Sequence, residues 1–352
     1  MNAVVRRLRF WLRAQRTRGA SWPRSLFVDA PRDAGRLVRS GAAAALNRAR
    51  IRHRGPKYAA ELRRAFAAAG DDPFVVVVVP GLLHLLVPAV RLARRHVPVV
   101  LVLNGLPAWE ETLLRAALPD PAMVRLEPLP GSLLSHGAAV DCLLQLAPGD
   151  FALLDPDLFV FDAALFEETK LRAGEAAAGT HGYTHGATGL RFPRTHLLAL
   201  DGALLRELAQ RYGVGAETRR WVPKRLLAPL ATLGLGAGTY PKEHLSHFDT
   251  LELLMAAALT EGRRLRVIDA PDAACHHVGG ASYRARDAAR DYLDLRLLEL
   301  PVARPYAAPL RERWGATAST EQARERLVAA QGGAAPGRID ALIERLARAL
   351  PA

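Results

Sequence analysis

Two apolar runs flank a pair of aspartates in the stretch FALLDPDLFVF, residues 151–161. Residues i and i+2 of extended backbone project to the same side, and Pro156 disfavours helix at Asp155. We therefore expect the carboxylates of Asp155 and Asp157 to lie side by side. Carboxylates at a strand end, where open α/β sheets bind their ligands, suit a hard divalent cation that phosphates also bridge. An acidic turn that caps the following segment is the structural alternative.

Three further apolar runs precede this stretch, and helical patterns separate them. Residues 74–79, FVVVVV, form a β-branched run typical of a strand buried on both faces. Strands are also predicted over 98–103, 123–126, 151–154, 197–200 and 265–268, and helices over 84–96, 109–118, 137–146, 202–212, 248–259 and 285–300. The order β-α-β-α-β-α-β with short connections predicts an α/β fold with a doubly wound, mostly parallel, Rossmann-like sheet.

Composition limits the classes of function. The chain has 352 residues, 50% of them hydrophobic, and a formal net charge of +13. Only four of the 48 basic residues are lysines, a bias typical of a GC-rich genome. Aromatic residues make up 6% and do not alternate with basic ones, so nucleic acid is not an expected partner. Cys142 and Cys275 have no C-x-x-C spacing, which favours a reduced, cytoplasmic protein without structural disulfides.

The N-terminal segment carries a possible membrane contact. Residues 1–20 place Val4, Leu8, Trp11 and Leu12 on one helical stripe among arginines. Such a basic amphipathic helix can lie on the inner face of an anionic membrane; a helix docked on its own domain is the alternative. Apolar runs of about 18 residues are absent from the sequence. We predict a helical extension over 1–72, a main domain over 73–284 with halves 73–165 and 166–284, and a helical appendix over 285–352. Within the appendix we predict a Pro-rich connector over 301–309 and a flexible linker over 331–337.

Three ordered motifs carry a resemblance to a known family. The segment SHGAAVDCLL (135–144) precedes GDFALLDPD (149–157), FDT (248–250) opens a predicted helix, and CHHVGGAS (275–282) follows a predicted strand. In this order they resemble the nucleotide-sugar-dependent glycosyltransferases of the GT-A fold, most closely those of family 2, over residues 74–284. The chain departs from that pattern at Pro80-Gly81-Leu82, where the family has Pro-Thr/Ser-aromatic-Asn. It also departs at residues 248–249, which offer one carboxylate where the family has two.

The resemblance implies a metal-dependent, inverting transfer of a sugar from a nucleoside diphosphate sugar to a glycan, a lipid-linked molecule or a small acceptor. It implies that Asp157 binds Mn or Mg, with Asp155 on the metal or the ribose. His276 and His277 precede two glycines, and an imidazole there can complete the metal shell or donate to the diphosphate. The spacing to the glycines favours His277.

Further candidate residues surround this centre. Inversion by single displacement needs a general base, for which Asp249 is the first candidate and Glu243 the second; Asp249 can equally cap the following helix. Asn104 can contact the nucleotide base or ribose, although Asn-Gly is also an ordinary turn, and His136 is a second candidate nucleotide contact. Glycines around His181 argue against a helical metal site with His185, so this segment is interpreted as an acceptor-side loop.

Two other functions remain open at this point. A sugar nucleotidyltransferase shares the carboxylates at a strand end, but it usually has a Gly-rich phosphate loop with a basic residue, which residues 80–84 lack. A catalytically silent GT-A-like scaffold in polysaccharide assembly is consistent with the single carboxylate at residues 248–249.

Overall fold

The computed structural model describes residues 49, 51, 53–127, 133–236, 239–242, 247–279, 287–315 and 318–350. The chain divides into two compact units, Met1–Arg54 and Gly55–Ala352. In the first unit the described residues are helical. The second unit holds every strand described below. Its first helix, α1, covers residues 55–69.

A mixed sheet forms the centre of the second unit. Its strands are β1 (Phe74–Val78), β2 (Val99–Leu103), β3 (Ala122–Arg125), β4 (Phe151–Leu154), β6 (Glu175–Thr180), β9 (Leu197–Leu200) and β10 (Arg264–Ile268). In the described residues these seven strands have the order β10-β6-β9-β4-β1-β2-β3. Only β9 runs against its neighbours, β4 and β6. The α/β class and the mostly parallel, Rossmann-like sheet are therefore confirmed.

Two small antiparallel pairs accompany the main sheet. Strand β5 (Leu158–Val160) pairs with β11 (Cys275–His277), and β7 (Tyr183–Thr184) pairs with β8 (Arg191–Phe192). The β5–β11 pair begins directly after the Asp155-Pro156-Asp157 triplet. It therefore joins the end of β4 to a segment more than a hundred residues later in the sequence.

Helices connect the strands and continue beyond the sheet. They are α2 (Leu83–Ala93), α3 (Ala108–Ala117), α4 (His136–Leu146), α5 (Ala164–Thr169), α6 (Gly202–Tyr212), α7 (Lys224–Thr232), α8 (Glu252–Thr260), α9 (Ala288–Leu297), α10 (Ala307–Trp314), α11 (Thr320–Gln331) and α12 (Ala335–Ala349). None of the helices in the described part of the chain combines the length and apolar character that a bilayer span requires.

Contiguous apolar runs in the sequence form the central strands of this fold. All five residues of β1 and of β2 are buried, as expected for parallel strands covered on both faces. The same core cluster contains Leu85 and Leu86 of α2 together with Leu297, Tyr306 and Leu346 from the C-terminal part of the chain. The C-terminal helices thus contribute side chains to the core that lies against the sheet.

Several predicted elements differ from the structure. The segment 301–309, predicted as a connector, contains a 3₁₀ turn at Pro301–Ala303 and the start of α10. Residues 331–337, predicted as a linker, include the start of α12 at Ala335. Proline explains both differences, because it fits the first turn of a helix, where its missing N–H has no intrahelical partner. The helix predicted over 248–259 begins at Glu252 instead.

Candidate active site

The two aspartates leave β4 in a turn rather than in extended backbone. Leu158 N donates to Asp155 O at 3.2 Å, which closes the turn around Pro156. The strand β5 begins immediately afterwards. The two carboxylates nevertheless lie in the same place, since each of them contacts the same imidazole. The expected proximity of Asp155 and Asp157 therefore holds, although the backbone reason differs.

That imidazole belongs to His277, the last residue of β11. Its Nε2 lies 3.2 Å from Asp157 Oδ1 and 3.7 Å from Asp155 Oδ2. The pairing of His277 with Leu158 in the β5–β11 ladder produces this approach. Asp157 is 5% exposed, so the contact is largely sheltered from water.

His276 occupies the other face of the same short strand. Successive side chains alternate across a strand, and His276 is exposed whereas Cys275 is buried and His277 half-buried. The described residues that could share one ion are Asp155, His196 and His277. The geometry thus brings His277 to the aspartates but gives the proposed ligand role of His276 no support.

His196 joins this cluster although sequence reasoning did not single it out. It directly precedes β9, which pairs antiparallel with β4, and Asp155 N donates to His196 O at 2.8 Å. The ring centroids of His196 and His277 are 3.5 Å apart. Ligand atoms of Asp155, His196 and His277 all lie within 4.8 Å of one another. Only the pairing of β4 with β9 could have revealed this neighbour.

Burial and neighbouring charge set the protonation of the cluster. Burial, together with the Asp157 charge, raises the pKa of Asp155 to about 7, and the charge of His277 opposes the shift. Burial lowers the pKa of His196 to about 2, and the charges of His277, His181, Arg194 and Lys242 add to that effect. A neutral imidazole and carboxylates that can ionise are the protonation states that metal binding requires. The donor set therefore fits a divalent cation.

A third histidine borders the cluster. The His181 ring centroid lies 5.8 Å from that of His196 and 6.5 Å from that of His277. The backbone of His181 has φ 54°, a left-handed conformation that is uncommon outside glycine. Its Nδ1 lies 2.9 Å from Thr180 Oγ1, and its Nε2 lies 3.9 Å from the sulfur of Cys275. The segment interpreted as an acceptor-side loop thus begins beside the histidines of the cluster.

A second polar cluster surrounds Asp249, the first candidate base. Lys242 Nζ lies 2.5 Å from Asp249 Oδ2 and 3.3 Å from Glu252 Oε1. Tyr183 Oη donates to Glu252 Oε1 at 2.5 Å, and Asp249 N donates to Glu252 Oε2 at 2.7 Å. Glu252 is 2% exposed. It therefore supplies a second carboxylate next to Asp249, three residues later in the chain.

Asp249 is ionised at neutral pH in this setting. Burial alone would raise the pKa of Asp249, but the hydrogen bond and charge of Lys242 outweigh burial and lower it. Leu251, with φ 66°, occupies the N-cap position of α8. Asp249 is therefore not the cap of this helix, although its Oδ1 accepts from Thr250 N at 2.8 Å. The second candidate base, Glu243, lies outside the described residues.

His136 and Asn104 have different surroundings. His136 begins α4 after the N-cap Ser135, and its buried Nε2 has no hydrogen-bond partner in the described part of the chain. Burial lowers the pKa of His136, and the Asp249 charge opposes the shift, so the two candidates lie within electrostatic range. Asn104 is fully buried. Its amide donates to Leu134 O and accepts from Leu134 N, both at 2.9 Å. Both polar groups of the Asn104 side chain are therefore hydrogen-bonded to the backbone of Leu134.

A comparison with protein families finds one similarity, which covers less than half of the chain. Residues 54–205 match a glycosyltransferase domain model. The family is described as the StrH glycosyltransferase N-terminal domain. The matched residues include Asp155, Asp157 and His196, and they end before Asp249 and His277. This match and the motif resemblance agree on a transferase of the glycosyltransferase type.

Other comparisons add little. No curated protein matches the chain. Among solved structures, 4-diphosphocytidyl-2C-methyl-D-erythritol synthase from Anaerococcus prevotii is similar with a TM-score of 0.31 and 12% identity, over 58% of this chain and 92% of that one. At that TM-score the likeness carries no argument about this glycosyltransferase-type domain.

Proposed function

We propose that the chain is a metal-dependent, inverting glycosyltransferase that moves a sugar from a nucleoside diphosphate sugar to a glycan, a lipid-linked molecule or a small acceptor. The observation that carries the proposal is the convergence of Asp155 and Asp157 on His277, with separations of 3.2 and 3.7 Å. The glycosyltransferase match over residues 54–205 supports the same class.

Asp155, Asp157 and His277 would hold the cation, Mn or Mg. When bound, such an ion supplies Lewis-acid stabilisation of charge on a leaving diphosphate. The side chains of Arg194 and Lys242 add positive charge around His196. A diphosphate that lies on this side of the cluster would therefore meet cations as well as the metal centre. His136 remains our candidate for a further contact with the nucleotide.

Asp249 would accept the proton of the acceptor hydroxyl. Its lowered pKa keeps the carboxylate ionised over the neutral range. Lys242 contacts Asp249 directly and also acts electrostatically on His196. The candidate base and the candidate metal centre thus share one cation, which suits a reaction in which proton removal and departure of a diphosphate occur together. Glu243 remains the alternative base.

A donor hydrolysis panel tests the proposal. Purified protein is incubated with Mn²⁺ and a set of nucleoside diphosphate sugars, beside Asp157→Ala and beside Asp71→Ala, which changes an exposed aspartate. We expect one donor to be hydrolysed by the wild type and by Asp71→Ala but not by Asp157→Ala. Turnover that survives Asp157→Ala or a chelator would refute the metal role.

The products separate this proposal from its rivals. A glycosyltransferase releases a nucleoside diphosphate from the donor, whereas a sugar nucleotidyltransferase releases pyrophosphate from a nucleoside triphosphate when it is supplied with a sugar 1-phosphate. Donor binding without turnover in the presence of every acceptor class would favour the silent scaffold. The anomeric configuration of the product, read by proton NMR, tests inversion.

We also propose a cytoplasmic location with peripheral membrane contact through residues 1–20, which lie outside the described residues. Flotation with anionic liposomes, compared between the full chain and a chain that lacks these residues, tests this contact. Loss of flotation on deletion is expected, and equal flotation of both chains would refute it.

A further inference from the structure

We propose that His196 is a ligand of the same ion as Asp155, Asp157 and His277, and that the centre therefore selects first-row transition metal ions over Mg²⁺. The inference rests on the proposed function for the presence of an ion in this cluster. It adds a ligand that the motif resemblance does not supply, and it assigns a metal preference to the site.

Position is the first argument. His196 and Asp155 lie on adjacent antiparallel strands and are joined by the hydrogen bond from Asp155 N to His196 O, at 2.8 Å. The backbone therefore fixes the two side chains at the same edge of the sheet. The His196 ring centroid lies 3.5 Å from that of His277, whose Nε2 contacts both aspartates.

The distances between donor atoms are close to those around a common ion. Two atoms bound to one metal at about 2.1 Å are separated by about 3.0 to 3.4 Å when adjacent in octahedral or tetrahedral geometry, and by about 4.2 Å when opposite. The separations of His277 Nε2 from the carboxylates are 3.2 and 3.7 Å. The ligand atoms of Asp155, His196 and His277 lie within 4.8 Å of one another. The larger of these separations exceed those of adjacent ligands, so the side chains must move relative to one another when one ion is bound.

An unpaired nitrogen is the second, independent observation. The Nδ1 of His196 is buried and has no hydrogen-bond partner within the residues that the structure describes. Buried polar atoms are nearly always satisfied, so an exception calls for a ligand, an ion or a water.

The donor types determine which ion fits. Two imidazoles and two carboxylates form a mixed nitrogen and oxygen set. Imidazole suits ions such as Zn²⁺, Co²⁺ and Fe²⁺, whereas Mg²⁺ prefers oxygen ligands and retains several of its waters. A centre without His196 would present one nitrogen and two carboxylates and would discriminate less. The second imidazole is therefore the structural source of the preference.

Metal binding to the intact protein tests the inference without a transferase assay. Isothermal titration measures the dissociation constants of Co²⁺ and Mg²⁺, and visible absorption of the Co²⁺ complex reports its ligands. The proteins are the wild type, His196→Ala, His196→Gln and His276→Ala. The last variant removes the exposed histidine on the opposite face of β11 and is the matched control. Circular dichroism confirms that each variant is folded.

We expect the wild type to bind Co²⁺ more tightly than Mg²⁺. His196→Ala should weaken Co²⁺ binding by at least about tenfold and alter the absorption bands, with a smaller effect on Mg²⁺. If His196→Ala does not fold, the Co²⁺ affinity and absorption spectrum of His196→Gln are measured instead. His276→Ala should bind as the wild type does.

Unchanged Co²⁺ affinity and spectrum in both His196 variants would overturn the inference, as would tighter binding of Mg²⁺ than of Co²⁺ by the wild type. An equal loss in His276→Ala would also overturn it. Metal binding as expected without any donor turnover would refute the proposed function and leave the metal centre standing.

Discussion

His84 Nε2 donates to Asp294 Oδ1 at 2.8 Å, although the two residues are 210 positions apart in the chain. Arg290 Nε donates to the same oxygen at 2.6 Å. His84 lies in the first turn of α2, directly after the turn that ends β1, and Asp294 lies in α9. A buried carboxylate thus joins the C-terminal helices to the helix that follows β1.

We expect Asp294→Ala to destabilise the protein by about 3–5 kcal/mol, because the change leaves a buried imidazole and a half-buried guanidinium without their acceptor. Asp291→Ala is the control on the same helix. Its carboxylate is 32% exposed and lies 4.0 Å from Arg326, so its loss should cost less than about 1 kcal/mol. Urea unfolding of both variants measures the difference, and equal losses would contradict the assigned role of Asp294.

Asn104→Ala tests whether this residue supports the fold or binds the donor. The change removes both hydrogen bonds to Leu134 and leaves the backbone groups of Leu134 without those partners. We expect a loss of about 1–3 kcal/mol in the free energy of unfolding. Thermal unfolding and the donor KM are measured together. A raised KM with unchanged stability would instead favour a direct nucleotide contact.

Lys242→Met should shift the pH dependence of activity. The Lys242 charge lowers the pKa of Asp249, whereas burial raises it. Without Lys242 the carboxylate gains its proton at a higher pH, so the acid limb of the kcat/KM profile should move to higher pH. Lys224→Met changes an exposed lysine and should leave the profile in place. If Asp249 is not the base, the acid limb will not respond to Lys242→Met.

Two adjacent glutamates on α3 should show opposite pH effects on stability. Burial raises the pKa of Glu110 above 4.5, despite hydrogen bonds from Gly81 N. Its contribution is present below the unfolded pKa and is lost as pH rises through the folded one. Glu110→Gln cannot titrate, so its melting temperature relative to the wild type should rise from pH 4.5 to pH 8.

Glu111 provides the control of opposite sign. Burial raises its pKa, but hydrogen bonds and charges from Arg115 and Arg125 outweigh burial and lower it. Its contribution is present above the unfolded pKa and is lost as pH falls. Glu111→Gln should therefore be less stable than the wild type at pH 8, with the difference shrinking in acid. Parallel behaviour of the two variants would contradict these assignments.

Gly137→Ala should disturb the start of α4, beside His136. A Cβ at this position would lie 2.8 Å from the backbone Cα of Glu217, which cannot move aside as a side-chain end could. We expect a loss of about 1–3 kcal/mol. At Gly149 a Cβ would meet nothing within 4 Å, so Gly149→Ala is the matched control. Differential scanning calorimetry measures the stability of the two variants, and equal losses would contradict the predicted contact with Glu217.

The strands that sequence reasoning located best are those buried on both faces. For β1, β2 and β9 the apolar run and the strand coincide to within a residue, because burial on both faces leaves an unbroken signal. The small pair β5–β11 was harder to foresee. Each partner has three residues, and their pairing depends on segments far apart in the chain.

Within the candidate site, local motifs identified some residues and missed others. Asp155, Asp157 and His277 lie in motifs whose residue types and order along the chain resemble those of a known family. His196 has no motif of its own, since it enters the cluster only because β9 lies beside β4. The same holds for Glu252, whose contacts with Tyr183 and Lys242 arise from tertiary packing. The proposed limits of the three domains stay a prediction.

The register of β4 against β9 pairs Leu154 with Leu197, and so holds Asp155 and His196 together from their own backbones. The intervening chain beyond β6, residues 181–195, is anchored at both ends by strands of one sheet. Insertions, deletions or a transplanted stretch within it leave those anchors in place. The middle of this segment can therefore change in length while the β4–β9 register keeps Asp155 beside His196, provided that His181, Tyr183 and Arg194, which act on the two polar clusters, are retained.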